Sequence, residues 1–214
     1  MSSPVTIKIC GLTDAEALDA AIRARADHTG FVFFPPSPRN LSLRDAAALA
    51  DRAEGRIGRV GLFVDADDRM IAEAVTAARL DALQLHGDET PQRAAQLKAR
   101  FGLPVWKAVP VSVREDVAKV EHYAGAVDLI LFDAKTPKDA LRPGGMGLSF
   151  DWSLIAGWKG SVAWGLAGGL TPENVSEALR LTGAPLVDTS SGVESAPGRK
   201  DVSRIAAFCA AARA

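Results

Sequence analysis

The chain has 214 residues, 48% hydrophobic and 24% charged, enough to bury the core of one large domain or two small ones. Its 25 Lys and Arg nearly balance 26 Asp and Glu, so it carries no electrostatic footprint for nucleic acid, and no apolar run approaches the ~20 residues that span a bilayer. Two cysteines, Cys10 and Cys209, lie at opposite ends without disulfide or metal-ligand spacing; with no secretory leader pattern at the start, a reducing, cytoplasmic setting is expected.

In chain order, residues 5–10 read as a strand and 13–23 as a helix, with Thr13 and Glu16 at capping-box spacing. A strand over 29–34 leads through a Pro-rich loop to a helix over 42–53. A strand over 57–64 precedes a helix over 67–77, and a strand over 80–86 precedes a helix that Thr90 caps and Pro91 opens. A strand over 103–109 is followed by a helix with a second capping box, Ser112 to Glu115. A strand over 126–133 runs into a Gly-rich loop and a short helix near Trp152. "SVAWGLAGG" feeds a helix over 171–181, and "APLVDTSSG" feeds the closing helix over 201–212.

These strands are nearly continuous apolar runs, as expected where both faces of a sheet are covered. Strict alternation of strand and helix implies a parallel sheet. Eight units at roughly 27 residues each fit a compact (β/α)8 TIM barrel, with residues 1–214 forming a single domain. An open doubly wound sheet is the alternative, but no G-x-G-x-x-G follows the first strand.

In such barrels the chemistry sits where strands run into helices, at their C-terminal ends. Those ends offer Cys10, Arg39, Asp65, Gln84, His86, Lys107 and Asp133, then the "LAGG" and "DTSSG" loops. Cys10 reads either as core packing or as a base, because it ends its strand beside Gly11 and a helix start whose dipole favours thiolate. Asp133 reads either as a loop cap or as a general acid over the apolar floor "LILF". A thiolate and a carboxylic acid on separate strands suit proton transfer at two points of one substrate. Gly168, Gly169, Ser190, Ser191 and Gly192 follow strands seven and eight, where these barrels hold phosphate on backbone N–H groups. Arg39 follows a stiff "PPSP" loop and is either solvated or a bidentate clamp for a carboxylate. His86 follows Gln84 at the barrel mouth, and Asp188 lies just before the serines. His28, His86 and His122 are scattered, which argues against a zinc site. Cys209 is expected to pack.

The set "KICGLT", "GFVFFPPSPR", "VGLFV", "LQLHGDE", "VDLILFDAK", "GGMG…FDW", "LAGGLTPENV" and "VDTSSGVES…PG…KD" resembles the phosphoribosylanthranilate isomerase family, in order and across nearly the whole chain. The resemblance implies a cofactor-free (β/α)8 barrel enzyme of tryptophan biosynthesis that performs an Amadori rearrangement. It implies Asp133 as the acid that opens the furanose ring and Cys10 as the base at the sugar's second carbon. It also implies Arg39 on the anthranilate carboxylate, the Gly168–Gly169 and Ser190–Ser191 loops on the phosphate, and His86 and Asp188 lining the pocket. The expected partner is the small-molecule substrate, with charge and hydropathy speaking against nucleic acid or membrane, and the chain is expected as a monomer or homodimer. The chain departs from the family pattern at Met146, Thr189 and Trp164. Other readings are a ribulose-phosphate epimerase, an indole-glycerol-phosphate synthase and a non-catalytic metabolite sensor. The strand ends offer no adequate metal ligands for the first and no Lys–Glu pattern for the second, and a sensor would not need both Cys10 and Asp133.

Overall fold

The computed structural model describes residues 5–135 and 147–214, so Met146 lies outside the described residues. Eight parallel strands close into a barrel in sequence order: β1 (Thr6–Cys10), β2 (His28–Phe33), β3 (Gly58–Phe63), β4 (Ala82–Leu85), β5 (Val105–Val111), β6 (Leu129–Ala134), β7 (Ala163–Leu166) and β8 (Leu186–Thr189). Strand β8 returns to β1 with Lys8 opposite Asp188, which completes the ring. The helices are α1 (Ala15–Arg23), α2 (Leu43–Ala53), α3 (Asp68–Ala78), α4 (Pro91–Phe101), α5 (Arg114–Ala118), α6 (Val175–Thr182) and α7 (Val202–Ala211).

The eightfold βα count needs one amendment: after β6 the described residues form a short 3-10 helix, Trp152–Leu154, in place of a full α-helix. A two-stranded hairpin that the sequence reading did not anticipate, β9 (Glu194–Ala196) and β10 (Arg199–Lys200), follows β8.

Helix starts show where local signals were right and where they slipped. Ser42, Asp67 and Thr90 cap α2, α3 and α4 by accepting from backbone N–H groups, and Pro91 sits in the first turn of α4. At α1 the cap is Asp14, not Thr13, because its carboxylate accepts from Ala17 N. At α5 the carboxylate of Asp116, not Glu115, reaches back to Ser112 N and Val113 N. Residues 171–174 form a turn and not helix, since the Asn174 side chain accepts from Thr171 N and donates to Gly169 O, competing with helical pairing.

Burial on both faces of the strands follows from two packing zones. Outside the strands, residues such as Ile7, Phe31, Phe63, Leu83 and Phe132 meet the ring of helices. Inside, Val60, Ala82, Trp106, Ala108, Leu131 and Leu186 fill the barrel, with Cys10, Val32 and Leu62 packed together above them. Trp164 packs edge-on against Phe132 and Trp158, so this departure from the family pattern is a packing residue.

Candidate active site

The C-terminal ends of the strands surround a cavity lined by all ten residues that sequence reasoning selected: Cys10, Arg39, His86, Asp133, Gly168, Gly169, Asp188, Ser190, Ser191 and Gly192. Of the other three strand-end candidates, Gln84 also lines the cavity, whereas Asp65 and Lys107 go elsewhere. Lys107 donates to the carbonyls of Gly87 and Ala108 and pairs with Glu89 at 3.3 Å, and Glu89 in turn accepts from Asp65 N and Gly87 N. That buried cluster braces the loop after β4, the loop that presents His86.

Cys10 ends β1 with its sulfur inside the barrel, opposite Gly30 of β2. The expected help from the start of α1 does not govern its thiol. Asp14 already satisfies that helix end, and burial pushes the Cys10 thiol up, opposed chiefly by the Lys8 ammonium. Lys8 was overlooked. It shares the inward face of β1 with Cys10 by the two-residue strand period, and its ammonium donates to both Asp188 oxygens, at 3.0 and 2.9 Å. Burial works against charge on Lys8, but Asp188 and Cys10 outweigh it and raise its pKa. Burial likewise raises the pKa of Asp188 against the pull of Lys8.

Asp133 sits at the end of β6. Its Oδ1 accepts from Ala134 N at 2.8 Å, and its Oδ2 lies 3.1 Å from His86 Nε2. On the far side of the ring, Gln84 Nε2 lies 3.2 Å from His86 Nδ1. The three side chains form a chain across β4 and β6 that holds the carboxyl over the cavity. Period two on β4 puts Gln84 and His86 on one face, a signal available in the sequence.

Arg39 is buried, with Nε and Nη2 donating bidentately to Glu194 at 2.6 and 2.8 Å. Burial opposes ionisation of Glu194, but Arg39 and Lys200 outweigh it and lower its pKa. Lys200 also donates to the Ser190 carbonyl at 2.9 Å, so the β9–β10 hairpin ties the arginine to the serine loop. Neither Glu194 nor Lys200 was among the candidates, because they lie on a hairpin outside the βα pattern.

The glycine loops come close together. Gly168 and Gly169 have φ of +79° and +66°, which favours glycine. A Cβ on Gly192 would collide with the carbonyl of Leu170. Thr189 donates from Oγ1 to that same carbonyl at 2.6 Å, joining the loops after β7 and β8. That bond is the structural reason for a polar residue at this departure from the family pattern. Among the described residues no group of three His, Cys, Asp or Glu side chains gathers as metal ligands.

A closed eight-stranded barrel with a thiol, a carboxyl and glycine loops converging at its mouth defines a (β/α)8-barrel enzyme with an acid–base pocket. A sequence model of the family described as N-(5'-phosphoribosyl)anthranilate isomerase matches residues 7–211. The chain belongs to that family. It is 54% identical over 210 residues to the N-(5'-phosphoribosyl)anthranilate isomerase of Paramagnetospirillum magneticum, covering 98% of each chain. The enzyme of Paracoccus denitrificans is equally 54% identical over 210 residues, again with 98% of each covered. Among solved structures, phosphoribosyl anthranilate isomerase from Thermotoga maritima superposes with a TM-score of 0.87 at 37% identity, covering 97% of this chain and 98% of that one. Another, in complex with reduced 1-(o-carboxyphenylamino)-1-deoxyribulose 5-phosphate, gives a TM-score of 0.85 at 35% identity with the same coverage.

Proposed function

We propose that Cys10 and Asp133 are the base and acid of the isomerisation that this family performs in tryptophan biosynthesis. The observation that carries the assignment is their convergence, from β1 and β6, on one cavity rimmed by the two glycine loops. The substrate is N-(5'-phosphoribosyl)anthranilate, a phosphoribosyl aminal. Asp133 gives its proton to the furanose ring oxygen as the C1–O bond breaks, and the anthranilate nitrogen supplies the electron pair of the resulting Schiff base. The Cys10 thiolate then takes the proton from C2, and those electrons flow to the nitrogen to give an enolamine. Loss of the 2-hydroxyl proton and protonation at C1 complete the ketone. No step changes the oxidation level of the whole molecule, so acid–base groups suffice.

The remaining residues position the substrate in this reading. Arg39, oriented by Glu194, receives the anthranilate carboxylate. Gly168, Gly169, Ser190, Ser191 and Gly192 present backbone N–H groups to the phosphate. His86 lines the pocket and steers the Asp133 carboxyl, while Asp188 lies beneath the sugar. One barrel domain, residues 1–214, acts as a monomer or homodimer in the cytoplasm. Support for that setting is the family's place in tryptophan biosynthesis. No helix among the described residues is long and apolar enough to cross a membrane.

The test is a fluorescence assay in which anthranilate, phosphoribosyl pyrophosphate and the transferase generate the substrate in place. Cys10→Ala and Asp133→Asn are each expected to lose about 10² to 10⁴-fold in kcat with the fold intact. A loss of only a few-fold in either variant removes that residue from its role.

A further inference from the structure

Lys8 is fully buried inside the barrel, beside an interior otherwise filled by Val60, Ala82, Trp106, Leu131 and Leu186. An ammonium there is expensive to desolvate, and a buried ion pair gives little net stability over apolar side chains of the same volume. Packing therefore gives no reason for a lysine at this place. Its position gives one. Register sets Lys8 opposite Asp188 across β1 and β8, and strand alternation sets it directly below Cys10 on the same face. An ammonium has three donors; the two Asp188 oxygens take hydrogen bonds at 3.0 and 2.9 Å, and Cys10 is the next inward-facing residue along β1.

We propose that Lys8 is the positioning residue for Cys10, its Asp188-anchored ammonium holding and stabilising the thiolate that acts as the base. The inference rests on the reading of Cys10 as the base. Three charged groups face the thiol: Lys8 from its own strand, Asp188 from β8 and Lys200 from β10. Asp133 of β6 and His86 beyond β4 act on Asp188 in turn. The β2 neighbour Gly30 brings no charge. Lys8 and Lys200 favour the thiolate; burial and Asp188 oppose it, and Lys8 is the strongest of the favourable influences.

The experiment is the pH dependence of iodoacetamide alkylation in the folded enzyme, which reads the thiolate directly. Cys209 gives little background, since burial pushes its thiol up to about 11. Lys8→Met is expected to raise the alkylation midpoint of Cys10 by about one pH unit or more, the size of losing an adjacent opposite charge. The ascending limb of kcat should move with it, KM should change little, and turnover should recover in alkaline solution. The variant Lys8→Met/Asp188→Asn removes the pair as a unit and avoids an unpaired buried carboxylate. Its midpoint is expected between those of wild type and Lys8→Met. A midpoint at the wild-type value in the double variant overturns the proposal, because Lys8 would then serve only to neutralise Asp188. Cys10→Ala, run in parallel, separates the two claims: if it retains turnover the base is wrong, and if it is inactive while the alkylation midpoint ignores Lys8, only the Lys8 role is wrong.

Discussion

Gly30 pairs with Cys10 across β1 and β2, and a methyl group there would sit 2.7 Å from the Cys10 sulfur and 3.0 Å from its Cα. Comfortable contacts need about 3.5 to 4.0 Å, so Gly30→Ala must displace the thiol by about 1 Å. A displacement of that size in a reacting group lowers turnover by about 10²-fold. The effect on stability is smaller. Overpacking costs about 1–3 kcal/mol, and the alanine returns about 0.4–1 kcal/mol by restricting the unfolded chain. The control is Gly61→Ala, one position further along β3 than the paired Val60, where a methyl group would strike Leu80 and Phe63 in the outer packing zone. Both variants are expected to melt earlier by similar amounts in thermal unfolding. In the coupled fluorescence assay only Gly30→Ala should lose kcat/KM on the order of 10²-fold. Equal losses in the two variants, or a Gly30→Ala enzyme as fast as wild type, would refute the proposed role of the Cys10 thiol that Gly30 faces.

Two further predictions concern stability. Lys107→Met leaves Glu89 buried without its cation and is expected to destabilise the fold by about 3–5 kcal/mol in urea unfolding, with Lys107→Met/Glu89→Gln recovering part of the loss. Asp116→Ala removes the cap of α5 and should cost about 0.5–2 kcal/mol at neutral pH. Burial opposes ionisation of Asp116, but hydrogen bonds from Lys119 and Ser112 outweigh it and hold its carboxyl at about 2. Since the folded value lies below the unfolded one of about 3.9, the stabilisation is complete above the unfolded value and is lost as pH falls toward the folded one. The difference between wild type and Asp116→Ala should therefore shrink between those two values and vanish below them. A difference that stays constant into acid would mean that the carboxylate's charge contributes nothing.

What the sequence carried was governed by short-range rules. Apolar runs alternating with capped helices gave eight units, and the rule that chemistry sits at strand ends picked out ten residues that line one cavity. What it did not carry depends on contacts between distant segments. Lys8 could be placed on the face of Cys10 by the strand period, but its partner Asp188 is 180 residues away and appears only when β8 closes on β1. Glu194 and Lys200 lie in a hairpin that breaks the βα rhythm, so Arg39 looked like a solitary loop residue until the fold brought a carboxylate to it. The thiol shows the same limit: a helix start is visible in sequence, whereas the depth of burial that dominates Cys10 is not.

The ionisable groups of the pocket fall into three sets, each joining elements far apart in the chain: Lys8 with Asp188, His86 with Asp133, and Arg39 with Glu194 and Lys200. Such pairs contribute little to stability in themselves, so stability does not explain why three of them share one barrel mouth. Positioning does. Each set contains one group to which the proposed reaction gives a role, or lies beside one, together with a partner anchored on a different strand or hairpin. A carboxyl steered by an imidazole, a guanidinium held flat by a carboxylate and a thiol above a fixed ammonium are all oriented before substrate arrives. Their orientation is then part of folding and adds nothing to the barrier of the reaction, which is the condition under which charged groups act most strongly in a pocket shielded from water.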